Sequence, residues 1–466
     1  MNSRVSLRLK LSILAVGLLT FTGVLIETSM NVTFPELTRQ LGVSLGTVQW
    51  LTTGYLLLTT IVMSTTAFVL KKFDPRKVFV FAATLCFLGT LVCLFSTNFP
   101  ILLIGRLIQA VSTGLATPLM FNLIFTEVPA SKLGVYTGFA SIIISLAPAL
   151  GPTYGGIVSD IWSWRAIFIG VIPIILFLSI LGFFTVRGKA AGVKDLKFDY
   201  LGVVGIAVIF TMILFTFDQA GRNGWLSWQF AGWIILSAVI TVGYWFYNQH
   251  SDRQLIDFSI LKLPVLRLRL FSYFSLQFIN IGLSFVLPVF AQTVLNANAS
   301  QAGLMLLPGS LIGALAGPYA GFLYDKKGPL TPLLISGVMI TLGSLLFVIF
   351  GANLTIIGVA VIYTVVRIGF NFGFGTTLSD GSVQVAGPQK SDQNSLFSMM
   401  QQYAGSLGTN VLSVVISSVA LYSGSKSSVI NTAIGARFDF VIVFILALLI
   451  LATVIYVNYR YESKKN

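Results

Sequence analysis

What most constrains this 466-residue chain is where it carries no charge. Stretches free of Asp, Glu, Lys and Arg run over 40–70, 78–105, 107–126, 133–159, 166–186, 200–217, 223–251, 393–425 and 440–459. A helix that crosses a bilayer needs about 20 consecutive, mostly apolar residues, so each stretch suffices for one span. Two longer stretches, 270–324 and 328–366, carry polar breaks at Asn296-Ala-Asn-Ala-Ser-Gln301 and Gly351-Ala-Asn353 and read as more than one helix apiece. Residues 11–26 and 368–379 are spans bounded by the single charges Glu27 and Arg367. The expectation is an all-α polytopic membrane protein with fourteen transmembrane helices. Composition agrees: 9% of the residues are charged, against roughly 25% in a soluble domain, too few to cover a water-facing surface. With 56% hydrophobic residues and a mean hydropathy of +0.89, the surplus apolar surface must face lipid, which excludes a soluble enzyme, a secreted disulfide scaffold and a disordered chain.

A net charge of +14 raises nucleic acid as a partner. Placed on the fourteen-helix pattern with both termini on one side, 22 of the 29 basic residues fall in the termini and the loops near 71–77, 132, 187–197, 253–269, 326–327 and 390. The opposite loops hold five (Arg39, Arg165, Arg222, Lys426, Arg437), and two, Arg106 and Arg367, lie within spans. This is the positive-inside asymmetry, which puts both termini in the cytoplasm and explains the basic balance without nucleic acid. The first segment starts with Arg4, Arg8 and Lys10 but lacks a small-residue cleavage site, so it reads as an uncleaved span. Cys86 and Cys93 lie seven apart on one helix, about 10 Å by helical rise, too far to pair.

No segment is long enough for a soluble domain, so any chemistry belongs inside the bilayer. The chain repeats itself weakly: Ala67-Phe-Val-Leu-Lys-Lys-Phe-Asp-Pro75 and Gly321-Phe-Leu-Tyr-Asp-Lys-Lys-Gly-Pro329 align at an offset of 254, sharing Phe68/Phe322, Lys72/Lys326 and Pro75/Pro329. Repeated halves with a site between them are a common plan of secondary transporters. The spacing divides the chain into a six-helix half over 1–198, two inserted helices over 199–250 and a second six-helix half over 251–466.

Several motifs, in order, carry a family resemblance over nearly the whole chain. The first helix reads Ile26-Glu-Thr-Ser-Met-Asn-Val-Thr-Phe-Pro35, followed by Gln49-Trp50 and Tyr55. The fourth reads Gly105-Arg106-Leu-Ile-Gln109 with Gly114 and Pro118, and the fifth Ala147-Pro-Ala-Leu-Gly-Pro-Thr-Tyr-Gly-Gly156. Trp164-Arg165 and Phe168 open the sixth. The chain resembles the major facilitator superfamily, in particular its fourteen-helix drug:proton antiporters of the lincomycin-resistance type. The resemblance implies the major facilitator fold. It also implies that Pro148, Gly151, Pro152, Gly155 and Gly156 form the antiporter motif sealing the two halves at one end. Two departures stand out: the family's first repeated turn usually has Asp where this chain has Lys71, and Gly where it has Asp74, whereas the second copy keeps Asp325 and Gly328. A latch at the first turn, in which an Asp meets a helix end and an Arg, cannot be made by Lys71.

Isolated ionisable groups in a bilayer are expensive, so Glu27, Arg106 and Arg367 require a reason. Thr20, Gly23, Glu27 and Asn31 follow helical spacing and form one polar stripe, expected to face a water-filled cavity where a carboxylate binds and releases protons. A protonated, hydrogen-bonded structural Glu is the alternative. Arg106 heads a stripe with Gln109, Thr113 and Thr117; always charged, it tunes a carboxylate or anchors backbone carbonyls. Arg367, with Tyr363 and Asn371, carries the same ambiguity and is placed with the conformational motifs. Tyr273, Gln277, Asn280, Ser284 and Pro288 share one face, and Asn394, Ser398, Gln402 and Ser406 another. Such neutral stripes suit a cavity wall, with Ser406 reading as packing beside Gly405 and Gly408. Trp50 and Tyr55 add aromatic surface. Glu36, Glu127, Asp160, Asp218, Asp380 and Asp439 are expected near helix ends.

The only histidine is His250, at a helix end, and no glycine-rich phosphate loop precedes a Lys-Ser/Thr pair, so neither a metal cluster, a catalytic site nor bound ATP is expected. The resemblance implies a non-enzymatic, proton-coupled exporter of small amphipathic compounds in the bacterial cytoplasmic membrane. Its partners would be substrate, protons and lipid, and the proton gradient would supply the energy without a cofactor. An importer or lipid-like solute carrier of the same fold is the alternative.

Overall fold

A computed structural model describes residues 5–129, 133–187, 198–250, 258–351, 353–385, 390–423 and 427–462. These residues are helical, with no strand among them. The long helices are α1 (Leu7–Ser29), α2 (Trp50–Lys72), α3 (Pro75–Leu94), α4 (Phe99–Glu127), α5 (Leu133–Ile161), α6 (Ala166–Thr185), α7 (Tyr200–Asn223), α8 (Trp228–His250), α9 (Pro264–Thr293), α10 (Leu307–Lys327), α11 (Leu330–Phe350), α12 (Ile356–Val383), α13 (Lys390–Ser423) and α14 (Ser428–Val457). Thirteen helical segments among the described residues are long and apolar enough to cross a membrane. The remaining helix, α5, is 29 residues long, and with it the protein is a multi-pass, fourteen-helix membrane protein.

The ends follow local chemistry. Ser6, Asn98, Asp199, Thr355 and Ser427 each cap a helix by accepting a hydrogen bond from a backbone N–H in its first turn, satisfying a donor that the helix itself leaves free. Both repeated turns start the next helix with a proline or end the last with a glycine. Pro75 opens α3, and Gly328 closes α10 in a left-handed conformation (φ +73°) that a side chain would resist. Past α1 the chain runs through a 3-10 turn, Met30–Thr33, into a short helix, Phe34–Leu41. The polar break expected near 296–301 is occupied by a separate short helix, Ala299–Leu304.

Helices α1–α6 and α9–α14 repeat one pattern of neighbours. α1 packs on α4, α5 and α6 as α9 packs on α12, α13 and α14; α4 packs on α2 and α3 as α12 packs on α10 and α11; and α3 meets α6 as α11 meets α14. α7 lies against α13 of one half and α2 of the other, while α8 packs on α7 and buries only Ser237 and Asn248. The hydrogen bonds tying the halves together cluster at the end opposite the termini. Gln292 Nε2 donates to the Val32 carbonyl at 2.7 Å, Thr153 Oγ1 to the Gly303 carbonyl at 3.3 Å, and Ser300 Oγ to Asp160 Oδ2 at 3.0 Å. Phe34 and Phe285 add an aromatic contact there, with ring centroids 5.8 Å apart. The halves are therefore closed at that end.

Candidate functional site

Three helices of the first half converge on Glu27. α1 supplies Glu27 and Gly23, α2 supplies Tyr55, and α4 supplies Arg106, Gln109 and Thr113. Gly23 is the residue that lets them meet, because a Cβ there would collide with Thr113 Oγ1. Tyr55 Oη lies 2.5 Å from Thr113 Oγ1 and donates to the Gly23 carbonyl at 3.3 Å. The Arg106 guanidinium lies 4.3 Å from the Tyr55 ring centroid, close enough for a cation–π attraction. One of its terminal nitrogens donates to Gln109 Oε1 at 2.9 Å, and Gln109 Nε2 donates in turn to Thr90 Oγ1 at 2.9 Å. Its Nε and its other terminal nitrogen have no hydrogen-bond partner. Arg106 is 0% exposed and Glu27 3%, on the adjoining helices α4 and α1.

The structure revises one expectation here. The Thr20–Gly23–Glu27–Asn31 stripe is buried throughout rather than facing an open cavity, because α2 and α4 lie over it. Asn31 accepts from Thr52 Oγ1 at 2.8 Å, while its Nδ2 lacks a partner. Trp50 is turned toward the inserted α7, its ring 5.3 Å from Phe215. The acids also divide differently from the sequence pattern. Asp439, expected near a helix end, lies well inside α14, fully buried, with no hydrogen-bond partner among the described residues for either carboxyl oxygen. Arg269, counted among loop residues, lies inside α9 and binds Asp380 of α12, its Nε 2.5 Å from Oδ2, with both side chains buried. Neither Asp439 nor the Arg269–Asp380 pair had a sequence signal: α14 buries Asp439 by its rotation against its neighbours, and the pair spans 111 positions.

In the second half, α9 and α12 bring Gln277, Asn280, Ser284 and Arg367 together. Arg367 donates to Asn280 Oδ1, Asn280 Nδ2 donates to Gln277 Oε1 at 3.3 Å, and Ser284 Oγ lies 3.4 Å from Tyr363 Oη. On α13, Asn394 is exposed and Gln402 half-buried. Ser406 donates to the Thr53 carbonyl across the half boundary at 2.9 Å, which is a packing contact, as its glycine neighbours suggested.

The glycines of α5 allow two close approaches. Cβ atoms at Gly151 and Gly155 would collide with Thr28 and Ser29 of α1, and Ser29 Oγ donates to the Gly151 carbonyl at 2.9 Å. Gly156 faces the other half, where a Cβ would run into the Ala299 carbonyl, and the Pro152 carbonyl occupies the corresponding space at Gly303. Pro148 and Pro152 interrupt the helix ladder just before this contact. At the opposite end, Asp325 is exposed and forms no ion pair with a described residue, while the Lys71 side chain lies outside the described residues. Cys86 and Cys93 are free and buried.

Glu27 and Arg106 are thus buried together inside the first half, at the junction of α1, α2 and α4. Comparison with known proteins gives the family. The Major Facilitator Superfamily model matches residues 16–409. An MFS-type transporter of Bacillus subtilis, YhcA, is 32% identical over 87% of this chain and 76% of its own length. The lincomycin resistance protein LmrB of Listeria innocua is 30% identical over 89% of this chain and 87% of its own. A multidrug resistance protein B homolog of Mycobacterium tuberculosis is 27% identical, covering 90% and 79%. Among solved structures, a bacterial homolog to the human lysosomal transporter Spinster, in an inward-facing and unoccupied conformation, superposes with a TM-score of 0.72 over 99% of each chain at 14% identity. The chain belongs to the major facilitator superfamily of transporters.

Proposed function

We propose that this protein exports amphipathic drugs or toxic compounds in exchange for protons, by alternating access in a bacterial cytoplasmic membrane, with both termini in the cytoplasm. The observation that carries the reading is Glu27, a carboxyl buried at the meeting of α1, α2 and α4, where α4 also buries the fixed cation Arg106. Arginine keeps its charge, so the one change of state available there is the proton on Glu27. When Glu27 loses its proton, its charge answers that of Arg106. When it gains one, the arginine must find another partner, and its free N–H groups leave it able to do so. Proton and substrate then influence each other's binding by the same factor, since coupling between sites is reciprocal.

The closed end opposite the termini corresponds, under the positive-inside reading, to an inward-facing state. In that state the exposed Asp325 would be a released latch and Gly156 part of the seal. The printed names of the relatives, lincomycin and multidrug resistance proteins, support export and a broad range of amphipathic substrates. Neutral polar groups such as Asn31, Gln109, Thr113, Gln277, Asn280, Asn394 and Gln402 offer hydrogen bonds suited to many such molecules. The reading asks for no cofactor and no nucleotide, because the proton gradient supplies the energy.

Reconstituted vesicles with an imposed pH gradient test it. The parent chain should drive a lipophilic dye against its concentration gradient, and Glu27→Gln should bind the dye but lose gradient-driven movement. A Gln variant that pumps at the parent rate would overturn the role of Glu27, and dye movement in the opposite sense would favour import. Cysteines at positions 2 and 465 should resist impermeant labels applied to intact cells; labelling there overturns the topology.

A further inference from the structure

α12 stands to the second half as α4 does to the first: each packs on its half's first helix and carries one inward arginine. Arg106 is 0% exposed and Arg367 5%. Their surroundings differ in one respect. α1, the first helix of its half, buries the acid Glu27 beside α4, whereas the group that α9 presents to Arg367 is the neutral amide of Asn280. The ion pairs among the described residues, Arg222–Asp218 and Arg269–Asp380, include neither arginine, so the contrast lies in which group the first helix of each half offers. Among the described residues Arg367 Nε has no hydrogen-bond partner, and the rings of Phe370 and Tyr363 lie with centroids 5.2 Å and 6.0 Å from the guanidinium carbon. A guanidinium cannot shed its proton. Among the described residues Arg367 is therefore a permanent buried cation outside any ion pair, which is costly in a bilayer unless an anion joins it.

The location suits cargo. Ile281, beside Asn280, packs with Tyr55, Leu56 and Ala110 of the other half, so this cluster lies next to the boundary between the halves. We propose that Arg367, with Asn280, Gln277 and Tyr363, forms an anion subsite that takes the ionised carboxylate of an acid-bearing amphipathic cargo. That the bound acid is cargo rests on the efflux reading above; that an anion binds here does not. The free Nε–H is a charge-assisted donor matched to a carboxylate oxygen, and Asn280 and Gln277, linked to each other, hold the guanidinium in place without neutralising it.

The test uses the full-length protein in lipid nanodiscs, with rhodamine B, whose carboxylate is free, and rhodamine B ethyl ester, in which it is capped. Binding is read by fluorescence polarisation in sulfate and in chloride buffers. The parent protein should bind the acid about tenfold more tightly than the ester, a difference of ~1.4 kcal/mol. Arg367→Gln should bring the ratio to about one through loss of the acid, and Arg367→Lys, which keeps the charge, should retain part of it. Asn280→Asp supplies an internal carboxylate and should abolish the preference even if Arg367→Gln fails to fold. Equal affinity of the parent for the two dyes, absence of binding included, overturns the proposal. Parallel loss of both dyes in Arg367→Gln overturns it as well, marking a structural arginine. Unchanged acid binding with loss of chloride sensitivity overturns it in favour of a chloride site. Gradient-driven export of the ester by the parent reports on the efflux reading separately.

Discussion

Removing Asp380 should destabilise this protein far more than removing Arg269, although the two side chains share one ion pair. The Nε–Oδ2 distance is 2.5 Å and the side chains are 2% and 5% exposed, so solvent does little to screen either charge. Breaking a buried pair by deleting one partner costs about 3–5 kcal/mol when the survivor stays charged. Asp380→Leu takes the carboxylate from a buried guanidinium that cannot neutralise itself, so its loss should be the larger of the two. Arg269→Met strands a carboxyl that can take up a proton, reducing the loss to that of an unsatisfied polar group, about 1–3 kcal/mol. The double variant Arg269→Met/Asp380→Leu replaces both with apolar groups of similar size and should lie within about 1–2 kcal/mol of the parent. The measurement is reversible unfolding of the purified protein in mixed micelles by increasing SDS, followed by tryptophan fluorescence, for the parent and all three variants. If Asp380→Leu costs no more than Arg269→Met, or the double variant is as unstable as the sum of the singles, water reaches Arg269 and the burial argument is wrong.

Three further outcomes follow from the same structure. Gly156→Val places side-chain carbon against the Ala299 carbonyl and should part the closed end. An impermeant maleimide should then label a cysteine substituted at the buried Val32 faster than in the Gly156 parent, and unchanged labelling would show that the contact gives way without moving the halves. Asp439→Val removes two buried oxygens that have no partner and should raise stability by about 1–3 kcal/mol in the same SDS titration; a fall would reveal a partner that holds the carboxyl. Asp325→Asn should slow gradient-driven dye transport more than Lys71→Gln at equal expression, because only the second repeated turn keeps the acid and glycine. Equal loss would mean that Lys71 makes a pairing of its own.

The number of helices, their approximate ends and the repeat between halves were legible in the sequence because each depends on local quantities. A charge-free run near bilayer length admits only a span, a polar break ends it, and a proline or glycine at its edge fixes where. The short helix at Ala299–Leu304 was visible only as a break, since six residues carry too little periodicity to declare a helix. Glu27, Arg106 and Arg367 also stood out, because charge within an apolar run is rare whatever surrounds it.

What the sequence could not decide was which way those residues face and whom they meet. The Glu27 stripe is polar at helical spacing, a pattern that fits a water-filled cavity and a buried three-helix junction equally well. Only the packing of α2 and α4 over α1, permitted by the missing side chain at Gly23, made it the latter. Arg269 and Asp380 read as a loop residue and a helix-end residue until α9 and α12 aligned them across 111 positions. Asp439 looked peripheral by position yet sits in the interior of α14. The difference is physical: hydropathy is a sum along the chain and can be read from one segment. Pairing and burial are set by the rotation and register of neighbouring helices, which close packing fixes only when the whole bundle is assembled.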